Sequence, residues 1–228
     1  MTTDLRLEFT LASDATFGRG DGVAGLLDEE IEYDEATGLP FLRGRTLKGL
    51  LVEECAALLF ALERQNHPKL TELQGAARQL FGNPGSTLED DGLLHVGHAQ
   101  LPEDLRRAVA ADVEAKKLSP ADVLESLTAI RRQTSINEAG APARGSLRSM
   151  RVLVRELTLT ADLRFDSEMG PTERALLAAC SLALRRAGTG RNRGRGRLKN
   201  VRLFEGEHDI TGTEFEGFKQ LIEQEAKR

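Results

Sequence analysis

Tryptophan is absent from this chain, tyrosine occurs once (Tyr33), and 228 residues hold only two cysteines. Each scarcity excludes something. With so few large aromatics, the chain is poorly supplied with platforms on which single-stranded bases stack. Cys55 and Cys180 each fall in an apolar helical pattern, so they read as small core residues rather than halves of a disulfide. The four histidines are scattered, which argues against a structural zinc site. His95 and His98 are three apart on an apparent strand and so face opposite sides, a poor metal pair. No stretch approaches the roughly 20 apolar residues a membrane helix needs. The opening MTTDLRLEFT has neither a basic region nor an apolar run of the secretory kind. These readings predict a cytoplasmic protein with no membrane partner.

Acid is missing from one long window. Between Glu173 and Glu205 there is none, while Arg174, Arg185, Arg186, Arg191, Arg193, Arg195, Arg197, Lys199 and Arg202 all lie there. A second basic stretch runs through Arg131, Arg132, Arg144, Arg148, Arg151 and Arg155. The acids gather elsewhere, as in Asp28, Glu29, Glu30, Glu32, Asp34 and Glu35. The net charge of −5 argues against a simple nucleic-acid binder. Phosphate binding follows local potential, so this segregation outweighs the sum.

The periodicity organises the chain. Leu5, Leu7, Phe9 and Leu11 alternate with polar residues, as a half-buried strand does. A glycine-rich stretch from Gly18 to Gly25 and an acidic segment follow. Thr46 reads as a helix N-cap, with Leu47, Leu50, Leu51, Cys55, Leu58, Leu59 and Leu62 at helical spacing behind it. Gly92 to Ala99 suggests a short strand. Pro102 to Leu127 predicts one or two charged helices, and residues 131 to 149 read as loop. Leu157 to Phe165 alternates cleanly. Pro171 opens a helix that Gly188 is placed to end. A final strand, Leu198 to Phe204, and a polar helix from about Glu214 to Glu225 close the chain. This order predicts an α+β protein with a ferredoxin-like (RRM-like) core in a single domain. A thumb-like insertion is expected at about 100–150, with Met150 packing its base.

Gly188 to Arg197 is the most informative run: Gly188, Gly190, Gly194 and Gly196 interleave with Arg191, Arg193, Arg195 and Arg197. Glycines let a backbone approach a ligand closely. Guanidinium groups are planar donors suited to phosphate oxygens. The run lacks the Gly-Lys-Ser/Thr of a P-loop. It follows a helix and precedes a strand, the reverse of a dinucleotide fingerprint. Four arginines in one loop repel one another unless an anion is near, which favours phosphate contact over a plain solvated turn.

This helix, loop and strand resemble those of the RAMP superfamily of CRISPR-associated proteins. The segment from Asp28 through Leu39-Pro40-Phe41-Leu42-Arg43-Gly44-Arg45-Thr46-Leu47-Lys48-Gly49 is similar to the repeated backbone subunits of type III effectors. Leu80-Phe81-Gly82, Gly92 to Leu101, and Arg132 to Arg151 (with Ile136, Asn137, Ala143, Gly145 and Leu147) resemble further family segments. Arg43 stands where the family usually has proline, and Arg45 where it has a small hydroxyl residue. Val52, Glu53 and Glu54 stand where a basic residue often follows.

The resemblance implies a filament of several copies of this chain along a guide RNA, together with other type III subunits and a base-paired target RNA. Guide phosphates are expected at Arg43, Arg45 and Lys48 by the first helix. Further contacts are expected at Arg132, Arg144 and Arg148 in the insertion, and at Gly190, Arg191, Arg193, Gly194, Arg195 and Arg197 in the loop. It also implies that Asp28 serves target-RNA cleavage with Mg²⁺ or Mn²⁺, as metal ligand or catalytic carboxylate. Alternatives are a non-cleaving scaffold copy, a guide-processing ribonuclease, and a domain binding a small anion.

Overall fold

Alternating apolar residues in two distant parts of the chain meet in one sheet. The computed structural model describes residues 4–22, 27–83, 92–134, 140–141, 143 and 146–223. Its elements run β1 (Leu5–Leu11), α1 (Gly44–Arg64), α2 (Leu70–Phe81), β2 (Leu94–Val96), α3 (Glu103–Glu114), α4 (Pro120–Leu127), β3 (Thr128–Gln133), β4 (Arg148–Leu153), β5 (Thr158–Phe165), α5 (Pro171–Ala183), β6 (Leu198–Glu205), β7 (His208–Asp209) and α6 (Thr211–Glu223).

β1 turns Leu5, Leu7, Phe9 and Leu11 inward, and β5 does the same with Leu159, Ala161, Leu163 and Phe165. Each fully buried leucine or phenylalanine contributes about 1.5–3 kcal/mol. Leu7 lies opposite Ala161 on one side and Leu203 on the other. The antiparallel sheet has the order β2-β5-β1-β6-β7. With α1 between β1 and β2, and α5 between β5 and β6, this is the ferredoxin-like β-α-β-β-α-β arrangement. α5 is buried continuously from Ala175 to Ser181 because α1, α2, α6 and β6 surround it, which explains its small residues. Cys55 on α1 and Cys180 on α5 are both buried and unbridged.

Several local expectations differ from the structure. Thr46 does not cap α1. The helix begins at Gly44, and the ring of His98 supplies the cap: Gly44 N–H donates to His98 Nδ1 at 3.0 Å. Gly188 does not end α5, which stops at Ala183; the chain then runs extended, with Arg186 bridged to Arg197. The stretch from 131 to 149 is not all loop, since β3 and β4 form an antiparallel ribbon of their own. α2 was not anticipated. Gly25, the Ile136–Asn137 pair, Pro142, Arg144, Gly145 and Glu225 lie outside the described residues.

Between β2 and β5 the chain adds α3, α4 and the ribbon. Ser119 and Asp122 form a reciprocal capping box at α4, with Pro120 in its first turn. The ribbon is anchored along β4. Leu153 N–H donates to Ala15 O at 2.8 Å, and Asp28 N–H donates to Ser149 O at 2.8 Å. Met150 is buried there.

Candidate nucleic-acid interface

The glycine-rich loop threads between β1 and the base of the ribbon. Close packing explains two of its glycines. Both have positive φ, and an added Cβ would strike the carbonyl oxygen of Thr16 at Gly188 and that of Ala187 at Gly196. Gly190 and Gly194 flank one 3₁₀ turn, Arg191–Arg193. Thr189 N–H donates to Thr16 O at 2.9 Å, and Gly196 N–H donates to Asp14 O at 2.9 Å. The loop is thus held at both ends while Arg193 stays exposed at its crest.

Clefts border this loop on several sides. One of about 430 Å³ separates it from the ribbon, lined by Glu29, Gln133, Met150, Gly190, Arg193 and Arg195 among others. A second of about 300 Å³ brings Gly194 and Arg195 together with Arg131, Arg132 and Arg155. A third of about 380 Å³ gathers Arg185, Arg186 and Arg191 against Glu53 and Glu54. Arg195 donates to Gln133 Oε1 at 3.2 Å and also contacts the Met150 sulfur. Arg191 pairs with Glu53 at 2.9 Å, and Arg131 pairs with Asp14 at 2.7 Å. In the third cleft, burial first and the adjacent Glu53 second push the Glu54 carboxyl above its usual range.

The first turn of α1 contrasts with the loop. Arg43 pairs with Glu32 at 2.7 Å. Lys48 Nζ donates to Leu94 O at 2.9 Å, so its ammonium is directed at β2 rather than at the loop. Arg45 is exposed. His98 stacks on Phe41, ring centroids 4.9 Å apart, and occupies the first N–H of the helix. His95 pairs instead with Asp166 at 2.7 Å.

Asp28 lies on a short segment that runs beside β4. It is exposed, and its Oδ2 accepts from Ser149 N–H at 2.6 Å. Its neighbours are engaged. Glu29 accepts from Thr189 Oγ1 at 2.7 Å, tying the segment to the loop. Glu30, 2% exposed, pairs with Arg151 at 2.8 Å. Among the described residues no group of three or more His, Cys, Asp or Glu is arranged to hold a metal. A single carboxylate suits Mg²⁺ or Mn²⁺ only if most other ligands are water or phosphate, a form Mg²⁺ often takes.

The structure therefore brings Arg132, Gly190, Arg191, Arg193, Gly194 and Arg195 around one loop. Arg43 joins them through a cleft shared with Arg191. Arg148 and Arg197 are exposed but line none of these clefts, and Arg144 lies outside the described residues. Gln133 and Glu29 were missed as groove residues. Nothing in their local sequence marks them, because they meet only through the ribbon's fold.

The family model of the RAMP superfamily matches residues 8–199. The chain belongs to the RAMP superfamily. That match takes in β2, β5, the insertion and the whole glycine-rich loop, and stops at the start of β6. Among the solved structures that share this fold are two. One is a chain of the type III-B Cmr-beta complex in its apo state, determined by cryo-EM. It is 13% identical, with a TM-score of 0.60, covering 90% of this chain and 98% of that one. The other is a chain of type III-B Cmr-beta bound to cognate target RNA, also 13% identical with a TM-score of 0.60, covering 88% and 96%. No curated protein matches the sequence. No helix among the described residues is long and apolar enough to cross a membrane.

Proposed function

We propose that this RAMP protein is a backbone subunit of a type III CRISPR ribonucleoprotein effector, holding guide RNA by its phosphates. The observation that carries this reading is the glycine-rich loop, anchored at both ends and ringed by arginine-lined clefts. Arg132, Arg191, Arg193 and Arg195 supply the donors, and among the described residues no aromatic side chain lines the two clefts they share. Arg45, Arg148 and Arg197, all exposed, extend the basic surface. The ribbon β3–β4 acts as a thumb between guide and target. Other copies of the chain and other subunits continue the filament.

The same proposal assigns target-RNA cleavage to Asp28. Ser149 N–H fixes one carboxylate oxygen and leaves Oδ1 for a hydrated Mg²⁺ or Mn²⁺ or for the target 2′-hydroxyl. Bound there, the ion would stabilise charge developing on the phosphate. A second reading, a non-cleaving scaffold copy, draws on the lack, among the described residues, of any group of three or more His, Cys, Asp or Glu arranged to hold a metal.

The test is target RNA incubated with the assembled complex, guide and Mg²⁺, comparing wild type with Asp28→Ala. Regular cuts lost in the variant support cleavage by this subunit. Regular cuts that persist move the chemistry elsewhere. Target that is bound and never cut by the wild type leaves the scaffold reading.

A further inference from the structure

The 3₁₀ turn Arg191–Arg193 at the crest of the glycine-rich loop has cations on both sides. Toward the ribbon, Arg193 and Arg195 line one cleft. Toward the helices, Arg185 and Arg186 line another, of about 380 Å³, with Glu53 and Glu54. Arg191 and Asn192 belong to both. A strand that follows the ribbon-side cleft over the turn therefore arrives at the helix-side one.

Three observations give the helix-side cleft a use. First, Arg185 and Arg186 are held in place but not neutralised. Leu198 N–H donates to Arg185 O at 2.9 Å, and Ala187 N–H donates to Gly196 O at 2.8 Å, which fixes the backbone that carries them. Both residues are exposed, and Arg186 Nη1 donates to a backbone oxygen, that of Arg191, at 3.4 Å. Among the described residues neither guanidinium forms an ion pair. Second, the lining is polar. Apart from Ala183, every side chain in it is charged or an amide, so no ring face or apolar floor is offered to a base. Three guanidiniums stand against two carboxylates. Burial, and then Glu53, hold the Glu54 carboxyl above its usual range, so it takes up a proton more readily when an anion comes near. Third, the pair of Arg191 with Glu53 is open. It closes at 2.9 Å with Glu53 58% exposed, and an ion pair so accessible to water is weak enough for a phosphate to displace.

We propose that the RNA backbone crosses the Arg191–Arg193 turn and places a further phosphate between Arg185 and Arg186, taking Arg191 from Glu53. The inference rests on the reading that the loop holds RNA, and like that reading it calls for no particular base. Arg185 and Arg186 extend the phosphate track to the α5 side of the loop. Glu53 is an internal competitor for Arg191, so it limits how tightly the track is held.

The experiment uses the full chain, a fluorescein-labelled oligouridylate and anisotropy over a salt series. Replacing Arg185 and Arg186 together by alanine should weaken binding about tenfold and lower the salt slope by about one power. Replacing both by lysine should restore the slope, because the charge remains. Glu53→Gln should tighten binding about threefold. Glu63→Gln, the same change in charge further along α1 and outside the cleft, should not. Calorimetry with pyrophosphate separates a free anion from RNA. Affinity and slope unchanged in the alanine pair overturn the proposal, as does equal tightening by the two glutamine variants. Pyrophosphate binding that is lost in the alanine pair while RNA binding is untouched assigns the cleft to a free phosphate, and overturns it too. Each of these results leaves phosphate gripping by Arg193 and Arg195 in place. Failure of the wild type to bind oligouridylate overturns both readings.

Discussion

Arg191, Arg193 and Arg195 of the glycine-rich loop and Arg43, Arg45 and Lys48 at the start of α1 each lie within a few residues, and the fold treats the two groups differently. In the loop, Arg193 stays exposed and Arg191 and Arg195 line clefts even where they touch a partner. In the helix, Arg43 is paired with Glu32, Lys48 is directed to the Leu94 carbonyl, and His98 holds the first N–H. Equal charge in sequence thus becomes unequal capacity for phosphate. The loop's arginines line clefts on more than one side of it, whereas at the helix start Arg43 and Lys48 are turned to Glu32 and Leu94 and Arg45 stays exposed.

The largest expected effect breaks the pair that ties the acidic segment to the ribbon beside the loop. Arg151→Ala leaves Glu30 buried without its partner, and stability should fall by about 3–5 kcal/mol in urea unfolding at neutral pH. An unchanged midpoint would mean that the ribbon base is not held by this pair. Next, replacing Arg191, Arg193 and Arg195 together by alanine should weaken RNA binding by about 10- to 100-fold and flatten its salt dependence by about one power for each phosphate-binding arginine removed. Lys48→Met should leave both quantities nearly unchanged. Equal weakening by the two changes would erase the contrast.

Smaller effects sharpen it. His98→Ala removes the acceptor at Gly44 and should cost about 1 kcal/mol, read by thermal unfolding, with little change in RNA affinity. Smallest is a pH effect at Glu54. Its folded carboxyl titrates above the usual value, so the fold favours the protonated form. Stability therefore falls as pH rises through the window above the ordinary glutamate value. Glu54→Gln should remove that slope, with variant and wild type most alike in acid.

Most of the core was legible because one-sided burial leaves a period in the sequence. Leu5 to Leu11 and Leu159 to Phe165 alternate since one face meets the helices. The ribbon was not legible. β3 exposes Ile130, Arg131 and Arg132 in succession, so no alternation marks it and its composition reads as loop. α2 buries only Leu73, Ala76 and Leu80, and Gly75 interrupts that short stripe. In the site, the loop was conspicuous by its glycines and arginines. Its companions were not, because Glu29, Gln133 and Met150 come from separate parts of the chain.

By itself the sequence determined the strand and helix periods, the basic loop and the likeness to the RAMP superfamily, since backbone preference and composition act locally. Tertiary structure decided which of those charges can meet an anion. The partners that claim Arg43 and Lys48 are Glu32, from the acidic segment before the helix, and Leu94, from the strand after it. Charges at such separations acquire an energy only when folding brings them within a few ångströms and removes the water between them.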